Sequence, residues 1–121
     1  MNDKKIFKMA LVTTIIGLAG IIILSGFVGP ENISIDKIDK SRIDNRVEIE
    51  AKIVSVTQTK TNTTIIRLMD DTGSINLVIF PSLNFNQNLK TNQQVRVIAK
   101  VTQYNSNLEL ILEESRNVMV L

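Results

Sequence analysis

The stretch TTIIRLMDDTGSINLVIF, residues 63–80, decides the fold. Thr63–Met69 reads as a strand, and Asp70-Asp71-Thr72-Gly73 as the turn that reverses it, with Gly73 expected to supply a positive φ. Ser74–Phe80 returns as a second strand, with Ile75, Leu77 and Ile79 on one face and Asn76, Val78 and Phe80 on the other. Pro81 stops it, because proline cannot donate to a ladder.

Upstream, Val47, Ile49, Ala51 and Ile53 alternate with Arg46, Glu48, Glu50 and Lys52, the pattern of a half-buried strand. Val54 and Val56 continue the apolar set one position off. That shift predicts a bulge or sharp bend, as closing a small barrel requires. Thr57 to Asn62 is a polar loop. Downstream, Ser82–Lys90 is expected as a short helix with Ser82 as its N-cap, although Asn84, Asn86 and Asn88 are poor helix formers. Leu83, Phe85 and Leu89 would plug one end of the barrel. Val95, Val97, Ala99 and Val101 mark a fourth strand, Tyr104 to Asn107 a turn, and Leu108, Leu110 and Leu112 a fifth strand. The expectation is an all-β fold over residues 46–121, a five-stranded Greek-key barrel with a short plug helix.

The chain before the barrel has a different character. Residues 9–28, MALVTTIIGLAGIIILSGFV, hold no charge and have the length of a single transmembrane helix. Gly29-Pro30 would end it. The basic tip, residues 1–8, carries Lys4, Lys5 and Lys8 against Asp3. This bias predicts a cytoplasmic N-terminus and an extracytoplasmic barrel, although Lys37, Lys40, Arg42 and Arg46 on the far side weaken it. A cleaved signal peptide is the competing reading, but its apolar core is normally shorter and ends in a small-x-small site. Here Phe27-Val28 interrupts the small residues. The sequons at Asn32 and Asn62 would be usable only outside the cell. Residues 29–45 read as a polar linker whose Ile33, Ile35, Ile38 and Ile43 pack loosely on the barrel.

Composition narrows the chemistry. The 121 residues include no His and no Cys, which removes zinc sites, disulfides, thiol nucleophiles and Ser-His-Asp triads. The net charge of +2 belongs to the tip, because the basic and acidic residues from 43 onward cancel. The paired carboxylates Asp70-Asp71 and Glu113-Glu114 read as turn capping and solvated surface. No enzyme and no cofactor are expected.

The stretches VEIEAKIVSV, TTIIRLMDDTGSINLVIF and VRVIAKVTQYNSNLELIL resemble the OB-fold nucleic-acid-binding module of the tRNA-synthetase anticodon and exonuclease type. Its most specific trace is Leu68-x-Asp70-x-x-Gly73-x-Ile75, followed by Tyr104 and Leu108-Glu109-Leu110. Ala51 and Ala99 stand where that family usually carries glycines. The resemblance implies single-stranded nucleic-acid binding on the face of the Thr63–Met69 and Ser74–Phe80 strands. Lys60 would lie in a flanking loop, Arg67, Asn76 and Phe80 on the face, and Tyr104 in the second flanking loop. Bases would stack on Phe80 and Tyr104, while Lys60, Arg67 and Lys100 neutralise phosphates. Against this stands the neutral charge, since nucleic-acid binders usually present a basic stripe. Phe80 also fits the core, and Arg67 could pair with Asp70 or a neighbouring Glu.

A second function stays open beside it: an extracytoplasmic assembly module that contacts a protein or glycan of a membrane complex. One anchor plus one such barrel also resembles the haem chaperone of cytochrome c maturation. That family attaches haem through His or Cys, and neither is present here, so no haem is expected.

Overall fold

The computed structural model describes residues 30–121. Its strands are β1 (Glu31–Asn32), β2 (Arg46–Gln58), β3 (Thr64–Met69), β4 (Ser74–Ile79), β5 (Gln94–Tyr104), β6 (Asn107–Ile111) and β7 (Val118–Val120). They form one sheet in the order β1-β2-β3-β4-β6-β5-β7, and an additional β2–β5 pairing closes it into a barrel. The five long strands are the expected ones. The short β1 and β7 were not foreseen, because two or three residues are too few to show a period. The expected span at residues 9–28, with its tip, lies outside the described residues. Among the described residues no helix is long and apolar enough to cross a membrane.

Strand β2 makes closure possible. Its first half pairs with β5, from Arg46↔Lys100 to Lys52↔Gln94, and its second half pairs with β3. Between the halves the register shifts at Ile53/Ser55, leaving Val54 as the extra residue. The sequence break at Val54 is therefore the bulge that bends the strand from one neighbour to the next. Ile49, Ile53, Ile66, Leu68, Leu77 and Leu110 point inward and are fully buried.

Both barrel ends are plugged. Leu83, Phe85 and Leu89 pack partly buried against the core, as their spacing suggested. The helix expected over Ser82–Lys90 is absent, however. Only a 3₁₀ turn, Pro81–Leu83, forms, with Phe80 and not Ser82 at its N-cap. Asn84 then adopts a left-handed conformation, φ 53°, which no continuing helix accepts. Asparagine's low helix propensity prevails over the apolar spacing.

At the other end lies the segment expected to be a loose connector. Ile35 and Ile38 are buried members of the core cluster, and Ile33 and Ile43 pack against it. Two 3₁₀ turns, Ile35–Lys37 and Lys40–Arg42, fold this segment across the barrel mouth. It is fixed by Asp70, whose carboxylate accepts from the Ile35 N–H at 2.9 Å, the Thr72 N–H at 2.7 Å and the Gly73 N–H at 3.1 Å. The Asp36 N–H donates to the Thr72 hydroxyl at 3.1 Å.

The expectation for Gly73 is corrected. No glycine among the described residues has a positive φ, and Asp70 side-chain capping holds the turn instead. Positive φ falls on Asn105 (49°) and Ser106 (67°), the two central residues of the β5–β6 hairpin. Two such residues in a row make the mirror-image turn that suits a right-twisted hairpin.

Candidate nucleic-acid interface

Period-two alternation divides β3 and β4 into an inner and an outer face. Ile66 and Leu68 are buried inside, so Ile65, Arg67 and Met69 face out. On β4, Ser74, Asn76 and Val78 share the outer side, and Phe80 follows them just past the strand end. The register sets Arg67 beside Asn76, Asn76 beside Glu109 of β6, and Glu109 beside Thr102 of β5. A second row runs Thr57, Ile65, Val78, Ile111 and Lys100. Val78 is buried yet outside the core cluster, so outer-face neighbours cover it.

Arg67 and Asn76 are brought together. Arg67 Nη1 donates to Asn76 Oδ1 at 3.1 Å, and Nη2 donates to Ser74 Oγ at 2.6 Å. Both partners are neutral, and Arg67 makes no ion pair among the described residues. The expected alternative of an ion pair with Asp70 is thereby corrected, since Asp70 is occupied by backbone N–H groups and the Thr72 hydroxyl. The guanidinium thus lies along β4 with its charge unneutralised. Beside it a shallow cleft of about 380 Å³ opens between β4 and β6, lined by Arg67, Ser74, Asn76, Asn107 and Glu109.

Phe80 is 45% exposed, which corrects the core reading for that ring. It sits at the end of the face where Thr64 pairs with Ile79. The β2–β3 loop carrying Lys60 lies at that same end. Tyr104, 66% exposed, stands at the opposite end, across from Asn107. Lys100 is apart from the others. It lies beyond β6 on β5, and its Nζ is 3.8 Å from Asp44 Oδ1. Five of the six residues thus lie on or at the margins of the β3–β4 surface, and Lys100 ends the row that continues from it across β6.

Several contributors were not legible beforehand. The Ser74 hydroxyl orients Arg67, and Glu109 reaches the face only because β6 runs parallel to β4. Val54 and Met69, 44% and 46% exposed, add apolar surface. Parity alone could have placed Ser74 and Met69 outward. The partner strand of β4 could not be read, because parallel pairing leaves no turn signature.

Asp70 is the perturbed acid of this region. Burial pushes its carboxyl up. Against that, the Thr72 hydroxyl and the N–H groups of Ile35, Thr72 and Gly73 favour the ionised form and together hold it below its ordinary value. Its oxygens are committed to the fold. Among the described residues no group of three or more acidic side chains gathers as a metal site.

A barrel closed in this order, with a cation on the outer face of β3, is the architecture of an OB-fold binding domain. Residues 47–118 match the OB-fold nucleic acid binding domain family, and the chain belongs to it. A comparison with curated proteins gives no match. Among solved structures, asparaginyl-tRNA synthetase from Pyrococcus horikoshii, complexed with asparaginyl-adenylate, is similar at TM-score 0.63 and 13% identity. That match covers 75% of this chain and 22% of the synthetase, so the chain corresponds to a small part of that enzyme. The second OB-fold domain of replication protein A from Methanococcus maripaludis is similar at TM-score 0.56 and 22% identity, covering 74% of this chain and 94% of the domain. A replication protein A heterotrimer bound to single-stranded DNA gives TM-score 0.52 at 13% identity, with 63% of this chain and 57% of that one covered. At these identities the structural likeness shows the fold.

Proposed function

We propose that this protein is a membrane-held OB-fold module that binds single-stranded nucleic acid on the outer face of β3 and β4. The observation that carries the reading is Arg67, held over β4 by Asn76 and Ser74 with no carboxylate partner among the described residues, on a face bordered by the exposed ring of Phe80. A planar guanidinium fixed in this way can take a phosphate or the edge of a base. Phe80 offers a stacking surface, and Lys60 adds a second charge in the β2–β3 loop. The family supports this, and so does the similar replication protein A heterotrimer, which is bound to single-stranded DNA. The test is titration with labelled single-stranded oligonucleotides. Binding at low salt that weakens on Arg67→Ala is expected, and no binding at low salt would reject the reading.

Residues 9–28 form the anchor in this proposal, with the N-terminus in the cytoplasm and the barrel outside. Protease added to intact cells should then clip the barrel, and full protection would reverse the orientation.

One observation favours a second reading, an assembly module that docks a protein of a membrane complex. Val54, Met69 and Phe80 are exposed apolar side chains of a body whose basic and acidic residues cancel from residue 43 onward. Crosslinking from detergent would recover a stoichiometric partner if this reading holds, and a clean monomer counts against it.

A further inference from the structure

The folded body begins almost where the apolar run stops. The last residue of that run is Val28, and β1 starts at Glu31. Three residues reach at most about 10 Å. The polar layer outside the hydrocarbon is itself about 5–8 Å deep on each side. With 9–28 in a bilayer, the barrel therefore has no slack.

The strand register shows which end meets the lipid. Glu31 pairs with Val47, and Val47 pairs with Ala99, so these three residues form one row across β2. β1 runs parallel to β2, whereas β5 runs antiparallel to it. Beyond Ala99, β5 therefore travels back in the direction from which the chain arrives. It continues five residues past that row to Tyr104. At about 3.4 Å per residue this carries the ring roughly 17 Å toward the origin of the tether. The route is a continuous set of contacts. Arg42 pairs with Glu31 at 2.6 Å, the Asp44 N–H donates to the Val101 carbonyl at 2.8 Å, and the Val101 N–H donates to the Asn45 carbonyl at 2.9 Å.

We infer that the β5–β6 turn is a lipid-contacting tip: Tyr104 sits in the headgroup layer of the bilayer that holds residues 9–28. The inference rests on the anchor proposed above. The residue type fits, since tyrosine favours the membrane interface, with its ring toward the apolar side and its hydroxyl in water. The ring is the most exposed large hydrophobic side chain among the described residues. Asn105 and Ser106 beside it are uncharged, and Lys100 and Arg46 near this end are paired with Asp44 and Glu113. Lys37 and Lys40, on the segment across this barrel mouth, make no ion pair among the described residues, so anionic lipid adds to a contact that the tether already imposes. Lys60 and Phe80 lie at the far end of the barrel, which turns the Arg67 face sideways. A strand crossing that face is bound without Tyr104.

The chain contains one Tyr, no Trp and no Cys, so tyrosine emission reports this position alone and single cysteines can report others. The full chain is reconstituted into phosphatidylcholine vesicles, with and without lipid spin-labelled near the headgroup. Tyr104 emission should lose most of its intensity, whereas a dye on Lys60→Cys keeps its own. A flexible Gly-Ser insert of about 16 residues after Val28, with a root-mean-square reach of about 22 Å, should restore the tyrosine signal. Phosphatidylglycerol vesicles should quench Tyr104 at least as strongly. Unquenched Tyr104 in protein that resists alkaline extraction overturns the inference and leaves the anchor standing. Quenching of Lys60→Cys instead inverts the orientation and equally overturns it. Protein that washes off the vesicles removes the anchor, and the inference with it.

Discussion

Arg67 and Asp70 sit three residues apart and do opposite things with their charge. Arg67 spends its fork on two neutral partners, leaving a cation available to an incoming ligand. Hydrogen bonds to charged groups are worth about 1.5–3 kcal/mol, so Arg67→Ala should weaken oligonucleotide binding ten- to hundredfold. Arg67→Lys keeps the charge but loses the planar fork, and should fall between the two in the same titration. Asp70 is fully engaged by the segment it ties down. Asp70→Ala leaves the N–H groups of Ile35, Thr72 and Gly73 without their acceptor, at a cost of about 1–3 kcal/mol in denaturant unfolding. Because the folded-state pKa lies below the unfolded one, the carboxylate's contribution is complete above about pH 4. It is lost as the pH falls through the folded value. Stability curves of the wild type and Asp70→Ala should therefore run parallel at neutral pH and converge in acid; a constant gap down to low pH would contradict the assignment.

At the scale of elements, expectation and structure part at the segment before β2, at the turn before β4 and at the Ser82–Lys90 stretch, where a single 3₁₀ turn replaces a helix. The alternation in β2, β3, β4 and β5 was legible because each strand buries one face, and the Val54 shift was legible as a bend for the same reason. The segment 31–45 was not. Its isoleucines at 33, 35, 38 and 43 follow no single period, since two 3₁₀ turns carry them across a barrel mouth. Yet Ile35 and Ile38 are 5% and 8% exposed. Ile38→Ala should cost about 2–5 kcal/mol, and a chain begun at Arg46 should unfold far more readily than one begun at Pro30. Gly73 illustrates the reverse error. Its backbone needs no positive φ, and an added Cβ would meet Ile35 Cγ2 at an ordinary 3.6 Å. Gly73→Ala should therefore fold and melt close to wild type in a thermal scan. The site was half legible: parity turned Arg67 and Asn76 outward, whereas the clasp of Ser74 and the approach of Glu109 depend on side-chain geometry and parallel pairing.

For the whole molecule, charge sets the character of binding. Five of the eleven Lys and Arg side chains among the described residues pair locally, as in Arg46–Glu113, Arg96–Glu50 and Lys100–Asp44, pairs of little energetic weight that nonetheless cancel part of the field. On the β3–β4 face and its margin Lys60 and Arg67 remain for phosphates, which makes for weak salt dependence and a reliance on stacking and shape. The decisive measurement is fluorescence anisotropy of residues 30–121 with a labelled single-stranded oligonucleotide across a salt series. Two phosphate contacts predict a log–log slope of about −1.4, falling to about −0.7 in Arg67→Ala. Absence of binding at the lowest salt, or a slope and affinity untouched by Arg67→Ala, would contradict a nucleic-acid face on β3 and β4.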